Sequence, residues 1–403
     1  MSLTADYEKE IQEYIKEHDG CKTNRIQPLE ISGKRVDLEV YRLPVNLLKF
    51  NVNNGRFAAE YKELKARLGR DLDPTKKADV DQVKKLLLEQ DKNATKVLKD
   101  DLVKMGQKNP GVVTYRGFLV NGNRRMAIFS ELAKETGDEK WDWLEVSVLP
   151  KGTGSEDIWR IEAGLQFSRD ERLDYGPINR LLKFRDGVVS GLKPKQIAST
   201  LYGGFTPDDI EEDLERLKLI DQYLKYIGKE GHYKFAERYD NHFINLRNLL
   251  KRQEKKGTDP LIMAKVTKFA FDLIRNDIPH LELRKLSDVM EQPPAKANLL
   301  KEFETNKEIS KIVVPKVGSS PKEAKPPTDQ PNKEAPSMLA FSVAKDIADA
   351  SKDMGRPAVL LQRALTNLQN VDTKSIRKGD GKIKGLLSDI ETAISKLKKA
   401  VKK

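Results

Sequence analysis

In the first third of the chain, the spacing of hydrophobic residues changes several times between the alternation of a strand and the periodicity of a helix. Residues 36–43 alternate between apolar and polar side chains and end at Pro44, which predicts a strand. From residue 57 to about 101 the apolar positions follow helical spacing, with a break at residues 69–74. Ile11 and its neighbours also have helical spacing, so residues 1–35 are expected to form an N-terminal helical extension.

The next stretch combines both periods within about 40 residues. Residues 112–115 and 118–120 are short β-type runs around Arg116-Gly117, a hairpin signal. After the Asn121-Gly122 turn, Asn123 is expected to cap a helix that continues to Lys134. Another strand is predicted over residues 144–148. Residues 36–155 are therefore interpreted as a small mixed-sheet domain.

Helical spacing dominates after residue 155. Residues 156–306 predict an all-helical domain, and residues 193–220 within it have the helix, glycine-containing turn, helix pattern of a helix-turn-helix. The fold class predicted for the body is therefore α+β: a small mixed sheet followed by helices.

The last hundred residues differ in composition from the body. Residues 307–337 are rich in Pro, Lys, Ser and Glu, which is typical of an extended linker. Residues 338–403 return to helical spacing and contain 14 basic against 7 acidic residues. They are predicted to be a basic helical tail, tethered to the body without packing on it. A solvated helical hairpin or an oligomerisation module is the competing interpretation of this tail.

Composition excludes several classes of protein. One cysteine, Cys21, rules out a disulfide framework or a multi-cysteine zinc site, and the 4 histidines lack ligand-like spacing, so no metal site is predicted. No run approaches the roughly 20 apolar residues of a membrane span, and no signal peptide is recognisable. The sequence therefore predicts a cytoplasmic protein without membrane contact, and its net charge of +12 indicates an anionic partner.

The turn at Asn121-Gly122 combines several features that are typical of phosphate-binding sites. A strand, a glycine turn and a helix N-terminus together present free backbone N–H groups and a partial positive charge. Gly122 would allow close approach, and Arg124 and Arg125 would add bidentate donors. A tight turn with two solvated arginines is the alternative. The second glycine-rich run, Lys151 to Ser155, lacks a Walker-type ending and is interpreted as a linker turn.

Three segments resemble the ParB-like domain of the ParB/sulfiredoxin-type fold. Residues 41–56 resemble the opening strand of that family and its loop ending in an arginine. Residues 120–127 (Val-Asn-Gly-Asn-Arg-Arg-Met-Ala) resemble its Gly-Glu-Arg-Arg box, and residues 161–177 resemble more loosely its Glu-Asn-x-Gln-Arg box. The resemblance covers residues 36 to about 225 and implies a ParB-like nucleotide-binding domain followed by a helix-turn-helix.

The resemblance implies a bound nucleotide, typically CTP with magnesium. The residues that would line that site are Arg56, Gly122, Asn123, Arg124, Arg125, Glu162 and Gln166. Asn123 stands in place of the family's glutamate, and the metal-holding asparagine is missing from the third box. These departures argue against magnesium dependence and hydrolysis, and leave phosphate binding in place.

The sequence gives conflicting indications about DNA. The second helix of the helix-turn-helix carries six acidic residues before Arg216, which would repel phosphates, so this motif is interpreted mainly as structural packing. The DNA contacts predicted elsewhere are Lys193, Lys195, Lys251 and Arg252. Aromatic residues interleaved with the basic run at 247–256 are expected to be core residues more often than base-stacking platforms.

Three functions follow from these interpretations. The first is a ParB-like nucleotide-binding, DNA-associated protein, with a homodimer as a further possible partner state. The second is a nuclease or small-molecule kinase on the same fold, with Glu162 and Glu60 as the candidate catalytic carboxylates and a weak NTPase as a variant. The third is a non-catalytic interaction scaffold. The sequence leaves enzymatic activity, the identity of the nucleotide and the DNA sequence preference open.

Overall fold

A computed structural model describes residues 10–52, 55–166, 176–201, 204–314, 330–352, 357–373, 376 and 381–401. Within these residues the N-terminal part contains a five-stranded sheet and the remainder is helical. The predicted α+β class is therefore confirmed.

The sheet has the spatial order β1-β2-β5-β3-β4, with β3 and β5 parallel and the other neighbours antiparallel. The strands are β1 (Lys22–Ile31), β2 (Lys34–Pro44), β3 (Gly111–Val113), β4 (Leu119–Asn121) and β5 (Trp143–Val148). The strands predicted near residues 36–43, 112–120 and 144–148 are all present. The β3–β4 hairpin turns at Gly117, as its Arg-Gly signal predicted.

Helices α1 to α5 belong to the part of the chain that builds the sheet. They are α1 (Glu10–Glu17), α2 (Ala58–Leu68), α3 (Lys77–Glu89), α4 (Lys92–Met105) and α5 (Asn123–Thr136). One hydrophobic core lies between these helices and the sheet, and it includes Met126, Ala127, Phe129 and Leu132 on the predicted inner face of α5.

The helices that follow are numbered in chain order. They are α6 (Ser155–Gln166), α7 (Pro177–Val189), α8 (Pro194–Thr200), α9 (Pro207–Tyr226), α10 (Tyr233–Glu237), α11 (Asp240–Lys255), α12 (Pro260–Arg275), α13 (His280–Arg284), α14 (Leu286–Glu291), α15 (Pro293–Thr305), α16 (Lys307–Val313), α17 (Pro336–Lys352), α18 (Pro357–Gln369) and α19 (Gly381–Val401). The predicted helix-turn-helix corresponds to α8 and α9. Thr206 caps α9 by accepting a hydrogen bond from the Asp209 N–H.

The largest core belongs to the helical part and extends back to α2 through Ala58 and Ala59. A smaller apolar cluster joins α6, α7, α8 and α9 around Trp159 and Phe184. The elements resembling the ParB-like domain therefore share packed surfaces with the helices that follow them.

The expectation of a helical extension over residues 1–35 is wrong for Lys22–Ile31, which forms β1. The inner face of this strand carries the polar residues Thr23, Arg25 and Gln27 before the apolar Leu29 and Ile31, so the first half of the strand gives no hydrophobic alternation. The Ser32-Gly33 turn to β2 has both φ angles positive, at 52° and 73°, as tight hairpins require.

Two expectations about the end of the chain also need correction. The linker predicted over residues 307–337 is wrong for residues 307–313, which form α16 with Ile309, Ile312 and Val313 buried. The first helix of the tail, α17, is not tethered loosely: Phe341, Ala344 and Ala348 lie in the helical core. The hydroxyl of Ser337 donates to the buried Asp272 carboxylate at 2.8 Å. The apolar residues of α17 therefore form a face that packs against the helical core.

Helices α18 and α19 behave differently from α17, because no residue of α19 is buried and the described side chains of α18 are exposed or partly exposed. Their apolar stripes include Leu361, Leu365, Leu386 and Leu397, each at least 46% exposed. Among the helices that the structure describes, none combines the length and apolar character needed to cross a membrane.

Candidate functional site

The turn between β4 and α5 holds its shape through glycine geometry. Gly122 has a φ of +108°, and an added Cβ would lie 3.5 Å from the Gly111 Cα. Only glycine adopts this conformation without strain. Gly122 occupies the cap position, so the prediction that Asn123 would be the N-cap is wrong by one residue.

Asn123 instead connects this turn to the first of the three resembling segments. Its Oδ1 accepts a hydrogen bond from the Asn51 N–H at 2.9 Å, while its Nδ2 donates to the Leu119 carbonyl at 3.1 Å. Both contacts are made by the amide group, which has a donor and an acceptor. An amide at this position therefore fixes residue 51 beside the start of α5.

The third segment reaches the same loop through Glu162. Its Oε1 accepts a hydrogen bond from the Gly55 N–H at 2.9 Å, within a buried environment. The loop carrying residues 51 and 55 therefore lies between α5 and α6. The three sequence segments that carry the resemblance are brought together at one place, although they are far apart along the chain.

Arg124 and Arg125 are buried, with 7% and 9% of their surface exposed. The Arg125 guanidinium donates to the Asn109 carbonyl and, at 2.6 Å, to Asn121 Oδ1. Arg124 Nη2 donates to Gln90 Oε1 at 3.2 Å. The alternative of two solvated arginines is therefore wrong. Arg125 braces the two ends of the β3–β4 region, which gives it a structural role at the turn.

Glu162 also forms a buried ion pair. Its Oε2 lies 2.9 Å from Lys183 Nζ, and the two side chains are only 5% and 2% exposed. Lys183 Nζ sits 5.2 Å from the Trp159 ring centroid, and the Trp159 indole N–H donates to the Lys183 carbonyl at 3.0 Å. Sequence reasoning missed Lys183. Its only signal was a lysine inside the otherwise apolar run of α7.

Glu60 lies elsewhere in the interface between α2 and the helical part. Its carboxylate accepts a hydrogen bond from Asn179 Nδ2 at 3.2 Å and lies 3.3 Å from Lys234 Nζ. The two candidate catalytic carboxylates therefore have different partners, each with a cation and an N–H donor. No group of three or more potential metal ligands occurs among the residues the structure describes.

A cleft of about 1010 Å³ opens beside the junction of the three segments, and we call it the junction cleft. Asn51 and Val52 contribute to its wall, the β3–β4 turn contributes Tyr115 and Arg116, and the loop before α6 contributes Lys151. Lys151 Nζ lies 5.7 Å from the Tyr115 ring centroid. Four basic residues line the cleft against two acidic ones, Asp71 and Asp73, and three aromatic residues contribute to its wall. This combination suits an anionic ligand with a planar group.

Sequence reasoning assigned Arg116 and Lys151 only to turns. Both assignments are correct locally, since Gly117 and Gly152 have positive φ angles of 82° and 85°. That the two turns face one cleft depends on the parallel pairing of β3 with β5, which no local pattern encodes.

The predicted DNA-contacting residues fall into two groups. Lys193 and Lys195 are exposed at the start of α8. Lys251 instead pairs with Glu212 of α9 at 3.0 Å, and Arg252 lies near Ser287 and Glu291 of α14. The basic run on α11 therefore neutralises acidic groups within the protein.

The acidic helix α9 is only partly neutralised by these contacts. Glu212 also lies 2.6 Å from Arg247 Nη1, so its pKa is lowered below the usual value, first by Arg247 and then by Lys251. Asp208, Glu211 and Glu215 remain exposed. The interleaved aromatic residues Tyr233, Tyr239 and Phe243 are buried, which confirms their interpretation as core residues.

Two predicted site residues cannot be placed. The side chains of Arg56 and Gln166 lie outside the described part of the structure, although the backbone of each is described. Comparison of the sequence with protein-family models and with curated protein sequences found no match.

Proposed function

We propose that this chain is a ParB-like nucleotide-binding protein that holds the phosphates of CTP or a similar nucleotide at the Gly122–Arg125 turn. The observation that carries the proposal is the meeting of three distant segments: Asn51 bonds to Asn123, and Gly55 bonds to Glu162. In sequence, the same three segments resemble the nucleotide-binding boxes of the ParB-like family.

The chemistry of the turn favours an anion. The first N–H groups of any α-helix lack intrahelical acceptors and carry a partial positive charge. Gly122 leaves space for close approach, and Arg124 adds a fixed positive charge at the first turn of α5. In this proposal Arg124 contacts phosphate, Arg125 holds the turn together, and Arg56 and Gln166 complete the site from the flanking segments.

Magnesium has weaker support than the nucleotide itself. Glu162, which matches the glutamate of the family's third box, is held by Lys183 and by the Gly55 N–H. A carboxylate engaged by an ammonium group is a poor metal ligand unless that pair separates. Nucleotide binding is therefore proposed without a requirement for magnesium.

The decisive experiment is a titration of CTP, ATP and GTP by calorimetry, with and without magnesium. We expect saturable binding of at least one nucleotide by the wild type and at least a tenfold loss in Arg124→Ala, because a charge-assisted contact contributes about 1.5–3 kcal/mol. Gln90→Ala is the matched control, because it removes the Arg124–Gln90 hydrogen bond and keeps the charge. No binding by the wild type would refute the proposal, and equal losses in both variants would assign Arg124 a structural role.

Association with DNA is proposed as a second property of the same protein. Lys193 and Lys195 are exposed at the start of α8, and α19 carries further exposed lysines. Because the acidic face of α9 repels phosphate, the expected mode is non-specific backbone contact. Anisotropy with random duplex DNA should show an affinity that falls with salt and weakens in Lys193→Glu/Lys195→Glu. Absence of any salt-dependent binding would favour the interaction scaffold.

Catalysis at Glu162 or Glu60 receives no support from their geometry, because each carboxylate is engaged by a cation and an N–H donor of the protein. The nuclease and kinase alternatives therefore rest on the resemblance alone. Retained nucleotide binding with loss of turnover in Glu162→Gln would reinstate them.

A further inference from the structure

A second cavity of about 790 Å³ lies against α5, and we call it the lysine cleft. It shares only Pro74 with the junction cleft, and the predicted nucleotide-binding residues do not line it. One face of α5 forms a wall of the cavity, and the remaining walls come from the start of α1, the end of β2 and the chain after it, residues 74–75, α3 and residues 141–143. The wall residues of α5 are Met126, Ser130, Ala133 and Lys134.

Two of the lysines that line this cavity come from different helices. Lys84 of α3 and Lys134 of α5 both line it, and neither forms an ion pair with any residue that the structure describes. Their charges act on each other: the pKa of Lys84 is lowered, first by burial and next by the positive charge of Lys134, and the carboxylate of Asp81 offsets only part of this lowering. Two like charges beside one cavity raise the free energy of the folded state.

Charges elsewhere in the wall do not cancel this surplus. Lys49 lines the cavity and lies 3.6 Å from Glu10, and the pKa of Lys49 is lowered, chiefly by burial. Asp142 is the other acidic residue of the wall. With three lysines and two carboxylates, the lysine cleft carries a net positive charge of one, concentrated at Lys84 and Lys134.

Apart from the uncharged polar residues Asn46, Thr75 and Ser130, the rest of the wall is apolar or aromatic. Phe50, Met126 and Trp141 are at least 95% buried and still contribute atoms to the cavity surface, together with the partly exposed Trp143. Volumes of about 300–1,000 Å³ with a mostly apolar lining and a few convergent charges are usual for small-molecule sites. Here cations outnumber carboxylates by three to two among the charged groups of the wall.

We propose that the lysine cleft binds a small organic anion, with a phosphate or carboxylate group held by Lys84 and Lys134 and a planar apolar group against Phe50, Trp141 and Trp143. The anion relieves the repulsion between the two lysines. The planar group covers apolar surface that the cavity leaves open to water. This site is separate from the nucleotide site and does not depend on the proposed function.

The test uses the full chain with phenyl phosphate and benzoate as the two anionic probes, and benzyl alcohol as the neutral one. Two of the chain's 3 tryptophans line the cavity, so intrinsic fluorescence reports binding directly. We expect saturable quenching by an anionic probe, none by benzyl alcohol at the same concentration, and a Kd raised about tenfold in Lys134→Met. Lys84→Met should have the same effect, and Lys84→Arg, which keeps the positive charge, should bind the probe with an affinity close to that of the wild type.

Two control variants separate this site from general electrostatics and from the junction cleft. Lys85→Met removes an exposed lysine next to Lys84 that does not line the cavity, and Lys151→Ala alters only the junction cleft. Both should bind the probe as the wild type does. Because Lys134 is exposed, its variant is expected to fold even where Lys84→Met does not.

Four results would overturn the inference. Three of them are the absence of saturable binding of either anion to the wild type, wild-type affinity in Lys134→Met, and an equal loss in Lys85→Met. A preference for phenyl phosphate over benzoate would identify the ligand as a phosphate ester, and the reverse order would identify a carboxylate. Loss of probe binding in Lys151→Ala would place the probe in the junction cleft and would likewise overturn it.

Discussion

The buried ion pair between Glu162 and Lys183 gives the sharpest test of the physical reasoning. The two side chains are 5% and 2% exposed, so removing one partner leaves the other charged in a medium that solvates it poorly. Lys183→Met is therefore expected to lower the free energy of unfolding by about 3–5 kcal/mol. Glu162→Gln should lower it by a similar amount, because the amide keeps an acceptor for the Gly55 N–H but leaves the ammonium group without the carboxylate that lies 2.9 Å from it.

The double variant Glu162→Gln/Lys183→Met removes both charges at once. Its loss of unfolding free energy should be well below the sum of the losses in the two single variants, since neither buried charge remains unpaired. Urea unfolding followed by tryptophan fluorescence measures this, because Trp159 touches the pair through the Lys183 carbonyl and ammonium group. With a slope of about 3 kcal/mol per molar urea, each single variant should lower the midpoint by about 1 M or more.

Single-variant costs below about 1 kcal/mol would refute the assignment of this pair as buried and mutually dependent. Additive costs would show that the two side chains act independently. Lys183→Arg serves as the control that keeps the charge. The free energy of unfolding of Lys183→Arg should lie between those of the wild type and Lys183→Met, because a guanidinium group is larger than the space occupied by an ammonium group.

Three further predictions concern other parts of the molecule. Gly117→Ala should destabilise the protein by about 1–3 kcal/mol in thermal unfolding, because its φ is +82° and the new Cβ would lie 2.8 Å from a side-chain carbon of α1; an unchanged melting temperature would contradict this. Ser337→Ala should cost about 1–2 kcal/mol and loosen α17, since Asp272 loses a buried donor, and hydrogen exchange of α17 should rise while that of α5 stays the same. The lowered pKa of Glu212 means that its ion pairs stabilise the fold above about pH 4.3 and that this contribution is lost as the pH falls through the lowered value. Glu212→Gln should therefore reduce the loss of unfolding free energy between neutral and acidic pH, by less than about 1 kcal/mol. A larger loss at acidic pH in the variant than in the wild type would contradict the assignment of the lowered pKa to Arg247.

Local patterns predicted the elements whose apolar faces are continuous. The β3–β4 hairpin, α5, α8 and α9 all appeared near their predicted positions because their periodicity and turn residues agree with their tertiary environment. The prediction failed at β1, whose inner face is polar in the first half of the strand. It also failed at α16, where a short apolar group follows a long helix and precedes a proline-rich run.

The candidate site was predictable as a set of segments but not as an arrangement. The Gly-Asn-Arg-Arg turn was recognisable because a glycine followed by two arginines at the start of a helix is a pattern typical of anion binding. Its internal contacts were not. Asn51, Gln90 and Asn109 lie far from the turn in sequence, and only folding brings them against Asn123, Arg124 and Arg125.

The sequence by itself determined the α+β class, most helix positions and the location of the surplus positive charge. The tertiary structure decided which charges remain available to a partner. Lys251 and Arg252 looked similar to Lys193 and Lys195 in sequence, yet α11 packs against acidic groups of α9 and α14 while the start of α8 stays exposed. Charge is a property of each residue, but its compensation depends on neighbours that are distant along the chain, so only the fold could separate the two sets.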